Sequence, residues 1–354
     1  MTRIPLILDC DTGVDDGLAI LYACASPDLD LLAVTCVSGN VPARQVAINS
    51  RSILELAGRS DVPVHLGAEL PLRKGLRTAE DTHGQRGLGY AKLPSPSRDL
   101  AAGDGAEAIV DLARSRPGEV VLVTVGPLTN LALALQREPE LPRLLHGYGL
   151  MGGAYRVPGN MTPTTEFNIF VDPDAARAVF AAWAAATDPT TPNPAPRPLA
   201  IGLDVTELKA FLPSDVARLA SRAGCPPAEV ERLGASPASG PAGTSSPIVD
   251  LVADSLRFYF EFHAEFDGFY GAYIHDPFAL AATIDRSLVM TKPVFVDVEA
   301  GEGLAHGMTV ADWRGVTHRP PNLDVAVDGR SADFFDRWID RVGGLATSRS
   351  GVAR

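Results

Sequence analysis

The first half of the chain alternates between short apolar runs and stretches in which apolar residues recur with a helical period. The runs, rich in Val, Ile and Leu, predict buried strands at residues 4–8, 31–36, 62–66 and 119–125, and a further run ends at Leu150. The helical stretches predict helices at 15–25, 42–56 and 127–136, and Asp172 followed by Pro173 is typical of another helix start. This alternation indicates a doubly wound α/β fold, with a mostly parallel sheet flanked by helices on both faces.

Three segments interrupt the alternation. Residues 187–198 hold five prolines in twelve positions and predict a surface loop, 235–247 predict a mobile loop, and 344–354 predict a flexible tail. Beyond residue 199, the pattern predicts a helix at 248–265 and short strands at 294–298, 308–312 and 324–327. These late elements either join the same sheet or form a subdomain. We favour one composite domain over residues 1–343.

Composition narrows the class of partner. The chain has 31 basic and 43 acidic residues and a net charge of −12, which argues against binding to nucleic-acid phosphates. No apolar stretch approaches the roughly 20 residues that span a bilayer, and Asp9 interrupts the first apolar run too early for a signal peptide. The four cysteines show no paired metal-binding spacing. We therefore expect a cytoplasmic protein with no nucleic-acid and no membrane partner.

Four carboxylates, from Asp9, Asp11, Asp15 and Asp16, lie within eight residues directly after the first predicted strand. Two like charges about 4 Å apart repel by about 4 kcal/mol at an effective dielectric near 20, so such a cluster must protonate or hold a cation. Oxygen ligands alone favour a hard ion, Ca²⁺ or Mg²⁺. The alternative is a solvated loop in which Asp15 caps the next helix, although a cap needs one acid rather than four.

Ligands of a doubly wound fold bind outside the carboxyl ends of the strands, so the residues after each predicted strand are candidates. These residues are mostly polar or offer a free backbone carbonyl: Asn40, Val125, Met151, Asn160, Glu166, Asn168, His275 and Asp276. Taken singly, the asparagines are also typical of turns, Met151 of a core, and Asp276 of a helix N-cap. Their shared edge with the acidic cluster favours a binding site.

Five sequence blocks, in this order along the chain, resemble the inosine-uridine-preferring nucleoside hydrolases. They are ILDCDTGVDDGLAIL at 7–21, VSGN at 37–40, GPLTNLALAL at 126–135, MGGAYRVPGNMTPTTEFNIFVDP at 151–173 and HDPFALA at 275–281. The later stretch VDVEAGEGLAHGMTVADW at 296–313 also fits. The resemblance spans almost the whole chain. It implies hydrolysis of the N-glycosidic bond of ribonucleosides to ribose and a free base, a reaction of purine and pyrimidine salvage.

The resemblance also implies roles for residues of this chain. Ca²⁺ would be held by Asp11, Asp16, the backbone oxygen of Val125 and Asp276, with Asp11 accepting a proton from the metal-bound water. The ribose would be bound by Asp15, Asn40, Met151, Asn160, Glu166 and Asn168. His275 would protonate the leaving base, and His83 would lie on the base side. The family further implies a homodimer or homotetramer.

The reaction itself requires these residue types. Ca²⁺ accepts 6–8 oxygen ligands flexibly and suits chelation by the ribose diol better than Mg²⁺ does. A bound ion acidifies water, and a neighbouring carboxylate can take the proton. Fixed carboxylates and amide oxygens stabilise an oxocarbenium-like transition state, and histidine titrates near neutral pH, where a leaving base needs a proton.

Two rival functions stay open at this point. One is a Mg²⁺-dependent phosphatase similar to the haloacid dehalogenases, although here Asp9-Cys10-Asp11 is followed by Thr-Gly rather than the Gly-Thr of that signature. The other is a non-catalytic nucleoside-binding protein on the same scaffold.

The base end of the site also stays open. Gln85 and Arg86 depart from the acid or small residue that is usual in the family, so the preference for purine, pyrimidine or modified bases is undecided. Tyr259 and His263 lie four residues apart on the predicted helix 248–265 and would either contact the base or belong to a packed aromatic helix. Residues 235–247 and 266–273 are candidates for a lid.

Overall fold

A central sheet of eight strands organises the chain. The computed structural model describes residues 3–237 and 240–349. Its strands are β1 Ile4–Cys10, β2 Leu29–Cys36, β3 Val64–Leu66, β4 Val121–Thr124, β5 Gly147–Met151, β6 Leu199–Ile201, β7 Val289–Val294, β8 Val296–Val298, β9 Thr309–Ala311 and β10 Leu323–Gly329. The sheet has the order β3-β2-β1-β4-β5-β6-β10-β7, and all of its pairs are parallel except β10 with β7. The predicted α/β fold with a mostly parallel sheet is therefore confirmed.

Helices pack on both faces of this sheet. They are α1 Val14–Ala25, α2 Ala43–Leu56, α3 Glu80–His83, α4 Gly105–Ser115, α5 Thr129–Arg137, α6 Leu141–Leu144, α7 Phe167–Val171, α8 Pro173–Ala186, α9 Leu203–Thr206, α10 Pro213–Arg222, α11 Pro227–Leu233, α12 Pro247–Phe266, α13 His275–Ile284 and α14 Ser331–Arg349, with a 3₁₀ turn at Arg286–Leu288. Among the described residues, no helix is both long enough and apolar enough to cross a membrane.

The first strand shows why its sequence is apolar throughout. Leu6 and Leu8 point into one core, shared with α1, α2, α12, α13 and α14, whereas Ile7 between them points into the other core, shared with α4, α5 and α8. Alternate side chains of a strand face opposite sides of the sheet, so a strand with helices on both sides needs apolar residues at both. β1 lies between β2 and β4, and its parallel pairing brings Cys10 beside Cys36 and Asp9 beside Thr124. The segments that follow these three strands consequently meet at one edge of the sheet.

The late strands divide between two sheets. β7 and β10 extend the main sheet, while β8 and β9 form a separate antiparallel pair. The predicted strand at 294–298 is thus wrong in extent, because Val294 ends β7 and Val296 begins β8. The loop predicted at 187–198 lies between α8 and β6, as expected.

The loop predicted as mobile is tied to its neighbours in its described part. The backbone N–H of Ala242 donates to Asp254 Oδ1 at 2.9 Å, and that of Thr244 donates to Asp250 Oδ1 at 2.6 Å. Residues 238 and 239 lie outside the described residues. Mobility of 235–247 stays a prediction.

The flexible tail predicted from residue 344 is wrong up to Arg349, because α14 continues that far. Small residues at the end of a chain are typical of a flexible tail, but in α14 they allow the helix to pack closely against its neighbours. Ala346 is fully buried in the core with Trp338, and a Cβ at Gly343 would collide with the side chain of Arg222 on α10. Residues 350–354 lie outside the described residues.

This packing predicts that the end of α14 is structural. Ala346→Asp would place a charged carboxylate in the apolar core and should destabilise the fold by about 3 kcal/mol or more. The matched control Ser348→Asp adds the same charge at an exposed position of the same helix and should cost less than about 1 kcal/mol. Urea unfolding of both variants measures the difference, and equal stability would show that residues beyond 343 do not support the domain.

Candidate active site

The acidic cluster lies where β1 ends and α1 begins. Asp16 accepts hydrogen bonds from the backbone N–H groups of Asp11, at 3.0 Å, and Gly13, at 2.9 Å, so it caps the first turn of α1. The alternative role as a cap that the sequence suggested for Asp15 thus belongs to Asp16. The N-terminal end of a helix carries partial positive charge, which offsets part of the cost of placing carboxylates there.

Backbone groups from two loops surround the carboxylate of Asp11. Its Oδ2 accepts from the N–H of Asn40 at 2.7 Å, while its Oδ1 is buried and has no hydrogen-bond partner among the described residues. A Cβ at Gly39 would collide with Oδ2, and one at Gly126 would lie 2.7 Å from Oδ1. The glycines after β2 and β4 therefore make the room in which this carboxylate sits.

Three buried carboxylates, from Asp15, Asp16 and Asp276, have oxygen atoms that lie within 4.8 Å of one another. Burial, and then the charge of Asp16, raises the pKa of Asp15 to about 7. Burial, and then the charges of Asp15 and Asp16, raises the pKa of Asp276 far above its usual range. Ionised, these groups need a counter-charge, and an all-oxygen donor set with an unpaired oxygen on the adjacent Asp11 fits a hard divalent cation.

The other predicted metal ligand, the backbone oxygen of Val125, faces the same cavity. It accepts a hydrogen bond from Asn168 Nδ2 at 2.9 Å, which leaves a second lone pair on the carbonyl. The three carboxylates whose oxygen atoms lie within 4.8 Å of one another include Asp15, which the resemblance places at the ribose, and not Asp11. Asp16 follows Asp15 in the chain and also accepts a hydrogen bond from the backbone N–H of Asp11. The carboxylates of Asp11, Asp15, Asp16 and Asp276 therefore form one cluster.

A cavity of about 600 Å³ opens above the cluster. Ten of the twelve predicted site residues line it: Asp15, Asn40, His83, Val125, Met151, Asn160, Glu166, Asn168, His275 and Asp276. The two others, Asp11 and Asp16, are fully buried beneath it. Most of the predicted residues thus follow the carboxyl ends of strands, and His275 and Asp276 join them from the start of α13.

The polar wall of the cavity is fixed by backbone contacts. Glu166 caps the short helix α7, accepting from the N–H groups of Asn168 at 2.8 Å, Gly153 at 2.9 Å and Ile169 at 3.2 Å. Asn160 Oδ1 accepts from the N–H of Phe167 at 3.0 Å, so its amide N–H₂ stays available to a ligand. Rigid acceptors and donors of this kind suit a neutral polyol.

Both predicted histidines line the cavity in neutral form. The backbone N–H of Val14 donates to His83 Nδ1 at 3.0 Å, which leaves the ring proton on Nε2; burial lowers the pKa of His83 to about 4. Burial, together with the neighbouring histidines, lowers the pKa of His275 to about 3, and its Nδ1 lies 2.8 Å from the Thr206 hydroxyl. Each ring therefore offers hydrogen bonds without carrying a positive charge.

An aromatic wall forms the opposite end of the cavity. Tyr259 and His263 from α12 both line it, with Phe269 and Tyr273 from the segment 266–273. Within the described residues, 266–273 borders the site and 235–247 does not, and closure of either segment stays a prediction.

Sequence reasoning missed four charged residues at the cavity: Arg77, Asp81, Glu207 and Asp267. Glu207 follows α9 after β6, and Arg77 lies in the loop before α3. Burial, and then the charges of Asp267, Asp204 and Glu166, raises the pKa of Glu207 to about 7. Because Glu207 comes soon after the end of β6, its position in the sequence carries the same signal as the other residues that follow strands.

Known proteins are similar to this chain in sequence and in fold. The profile of the family "inosine-uridine preferring nucleoside hydrolase" matches residues 6–336. A pyrimidine-specific ribonucleoside hydrolase, RihA, of Enterobacter sp. (strain 638) is 37% identical over 96% of this chain and 97% of its own length. The solved structure of a purine-preferring ribonucleoside hydrolase from Gardnerella vaginalis has a TM-score of 0.83 at 30% identity, covering 97% of this chain and 99% of that one. A plant nucleoside hydrolase, PpNRh1, has a TM-score of 0.81 at 28% identity, over 96% and 99% of the two chains.

The chain belongs to the inosine-uridine preferring nucleoside hydrolase family. The resemblance seen in the sequence blocks is thereby confirmed, and with it the assignment of the protein to a family of enzymes.

The environment of Glu207 predicts a pH-dependent stability. Its folded-state pKa of about 7 lies above the usual glutamate value of ~4.3, so ionised Glu207 destabilises the fold above pH 7, and this penalty vanishes as the pH falls toward ~4.3. Glu207→Gln should raise Tm at pH 8, and the gain should shrink toward zero at pH 5. Calorimetry of both proteins in chelator measures this. Glu265→Gln, at an exposed position of α12, should leave Tm unchanged at either pH, and a gain for Glu207→Gln of equal size at both would contradict the assignment.

Proposed function

We propose that the protein hydrolyses the N-glycosidic bond of ribonucleosides in a Ca²⁺-dependent reaction that yields ribose and a free base. The observation that carries the proposal is the buried carboxylate cluster, with its unpaired Asp11 oxygen, beneath a cavity walled by amides and Glu166 on one side and by rings on the other. Family membership supports the reaction class.

Asp11, Asp16, Asp276 and the carbonyl of Val125 would hold the ion, with Asp15 either joining them or binding a ribose hydroxyl. When a calcium ion is bound, it supplies positive charge that acidifies water and attracts the two oxygens of the ribose diol. Mg²⁺ is the poorer match, because it demands an octahedral shell and keeps its waters.

Residues of the chain then position the sugar and move the first proton. Asn40, Asn160, Glu166 and Asn168 hold the ribose hydroxyls, and Met151 packs against the ring. Asp11 Oδ1, which lacks a partner among the described residues, accepts the proton of the attacking water. As the base departs, the carboxylates beneath the ribose stabilise its developing positive charge.

The departing base meets the histidines. His83 has its proton fixed on Nε2 and so donates a hydrogen bond to the base. His275 lies next to Asp276 at the start of α13 and is our candidate for protonating the leaving nitrogen. Because burial favours the neutral ring, His275 takes up a proton from solvent through the open cavity as negative charge develops on the base, passes a proton to the leaving nitrogen and ends the step neutral.

The charge of the cavity disfavours the phosphatase alternative. Among the described lining residues, Arg77 is the only arginine or lysine, whereas the carboxylates include Asp15, Glu166, Glu207 and Asp276. A phosphate ester would meet repulsion here, and a neutral nucleoside would not. We propose pyrimidine ribonucleosides as the preferred substrates, because the RihA relative named as pyrimidine-specific is more similar in sequence than the purine-preferring enzyme. Cytoplasmic location and assembly as a homodimer or homotetramer stay predictions.

A nucleoside panel tests the proposed reaction. Ribose release from uridine, cytidine, inosine and adenosine is measured by a reducing-sugar assay, with chelator and after calcium is restored. We expect release that is fastest from the pyrimidine nucleosides, abolished by chelator and recovered with Ca²⁺. Phosphate release from sugar phosphates under Mg²⁺ without ribose release, or nucleoside binding without any turnover, would favour the rival functions instead.

The dual role of Asp11 predicts a double loss. Asp11→Asn keeps the volume of the side chain but removes its charge, so kcat should fall by about 10²–10⁴-fold and calcium affinity should weaken in the same variant. Asp111→Asn, at an exposed position of α4, is the control and should change neither quantity. Calcium titration followed by calorimetry, beside steady-state kinetics, measures both. An inactive Asp11→Asn variant that binds calcium normally would separate the two roles.

A further inference from the structure

A histidine–carboxylate pair stands at the aromatic end of the cavity, outside the residues that the mechanism uses. His263 and Asp267 are one helical turn apart at the end of α12, and His263 Nδ1 lies 2.6 Å from Asp267 Oδ2. His263 is 6% exposed and lines the cavity, while Asp267 lies at the exposed rim. The exposed carboxylate thus anchors a buried ring.

This pair fixes the proton on the ring. An ionised carboxylate only accepts hydrogen bonds, so Nδ1 of His263 must carry the proton. Burial lowers the pKa of His263, which favours the neutral ring. The remaining nitrogen, Nε2, is therefore a bare acceptor, and it is buried with no hydrogen-bond partner among the described residues.

Aromatic rings surround the His263 ring that carries Nε2, as expected for a site that binds a planar base. His263 stacks on Phe269 with centroids 5.3 Å apart, and Tyr259 and Tyr273 lie at 4.7 and 5.6 Å. The ring of His83, whose Nε2 is fixed as a donor, also lies near Tyr259, with centroids 5.4 Å apart. Two histidines of opposite hydrogen-bonding character thus pack against one aromatic ring.

We propose that His263 is a specificity-determining residue, an acceptor that selects nucleosides whose base presents an N–H group to α12, and that Asp267 is the positioning residue that fixes its tautomer. The inference rests on the proposed function, because it names what the same cavity recognises. A base without such an N–H leaves the buried acceptor unpaired, which sites of this kind penalise strongly. A purely structural His263 would instead serve as one more ring of the aromatic wall, indifferent to hydrogen-bond donors on the base.

A substrate pair isolates the effect. Uridine carries N3–H, whereas 2-pyrimidinone riboside has a bare N3 and no N–H on its base. We expect the ratio of kcat/KM for uridine to that for 2-pyrimidinone riboside to be at least about tenfold higher in the wild type than in His263→Phe, which keeps a ring but removes the acceptor. Uracil also differs from 2-pyrimidinone by its O4. Because both proteins are assayed with the same two substrates, comparing their ratios cancels the contribution of O4.

Asp267→Asn tests the positioning role. Its amide can donate to Nδ1 and so allows a proton on Nε2, which should lower the same ratio mainly by slowing uridine while 2-pyrimidinone riboside is spared. A loss of packing alone would slow both substrates equally. The control is Glu265→Gln, at an exposed position of the same helix that does not line the cavity, and it should leave the ratio unchanged.

The outcomes separate this inference from the proposed reaction. If the wild type releases ribose but the ratio is the same, within twofold, in His263→Phe, the inference is wrong and the reaction stands. If no protein releases ribose, the reaction is wrong, and calorimetric binding of the two nucleosides to the same variants decides the inference. A binding ratio that falls in His263→Phe supports it, and an unchanged binding ratio overturns it.

Discussion

Repulsion among buried carboxylates is the constraint around which this molecule is built. Burial removes the water that would otherwise solvate Asp11, Asp15, Asp16 and Asp276, and so raises all four pKa values. The charge of Asp16 raises the pKa values of Asp11 and Asp15 further, and the charges of Asp15 and Asp16 do the same for Asp276. The fold tolerates the cluster because a helix N-terminus and backbone N–H groups stabilise part of the charge. The remaining repulsion is relieved either by a proton or by a cation, and a divalent ion is the solution that the proposed function requires.

The parallel sheet supplies the geometry that this cluster requires. β1 lies between β2 and β4, so the loops that follow all three strands converge on one point. Gly39 and Gly126 then let two of these loops approach the Asp11 carboxylate more closely than any residue with a Cβ would allow. Because both cores pack against β1 through alternate side chains, Asp11, Asp15 and Asp16 follow a strand that is buried on both faces.

Much of this was readable from sequence, and the exceptions have physical causes. Apolar runs and helix starts identify the elements, and strand ends identify Asn40, Val125 and Met151, because the rule depends only on topology. Hydrogen-bond partners do not follow from topology: Asp16 rather than Asp15 caps α1, and only the fold shows that a backbone N–H fixes the tautomer of His83. The end of α14 was misjudged because small residues signal either disorder or close packing, and the partner that decides, Arg222, lies far away in sequence.

The two ends of the cavity also differ in charge. Its floor is acidic, and in the proposed reaction it holds the sugar, on which positive charge develops as the glycosidic bond breaks. Its far end carries three histidines, each kept neutral by burial, with His83 and His263 also fixed in tautomer by a partner. A permanently charged imidazolium in this buried end would carry a desolvation cost that the neutral rings avoid. In the proposed reaction a neutral donor such as His83 makes a hydrogen bond that strengthens as negative charge moves onto the leaving base, while the acidic floor stabilises the positive charge on the sugar.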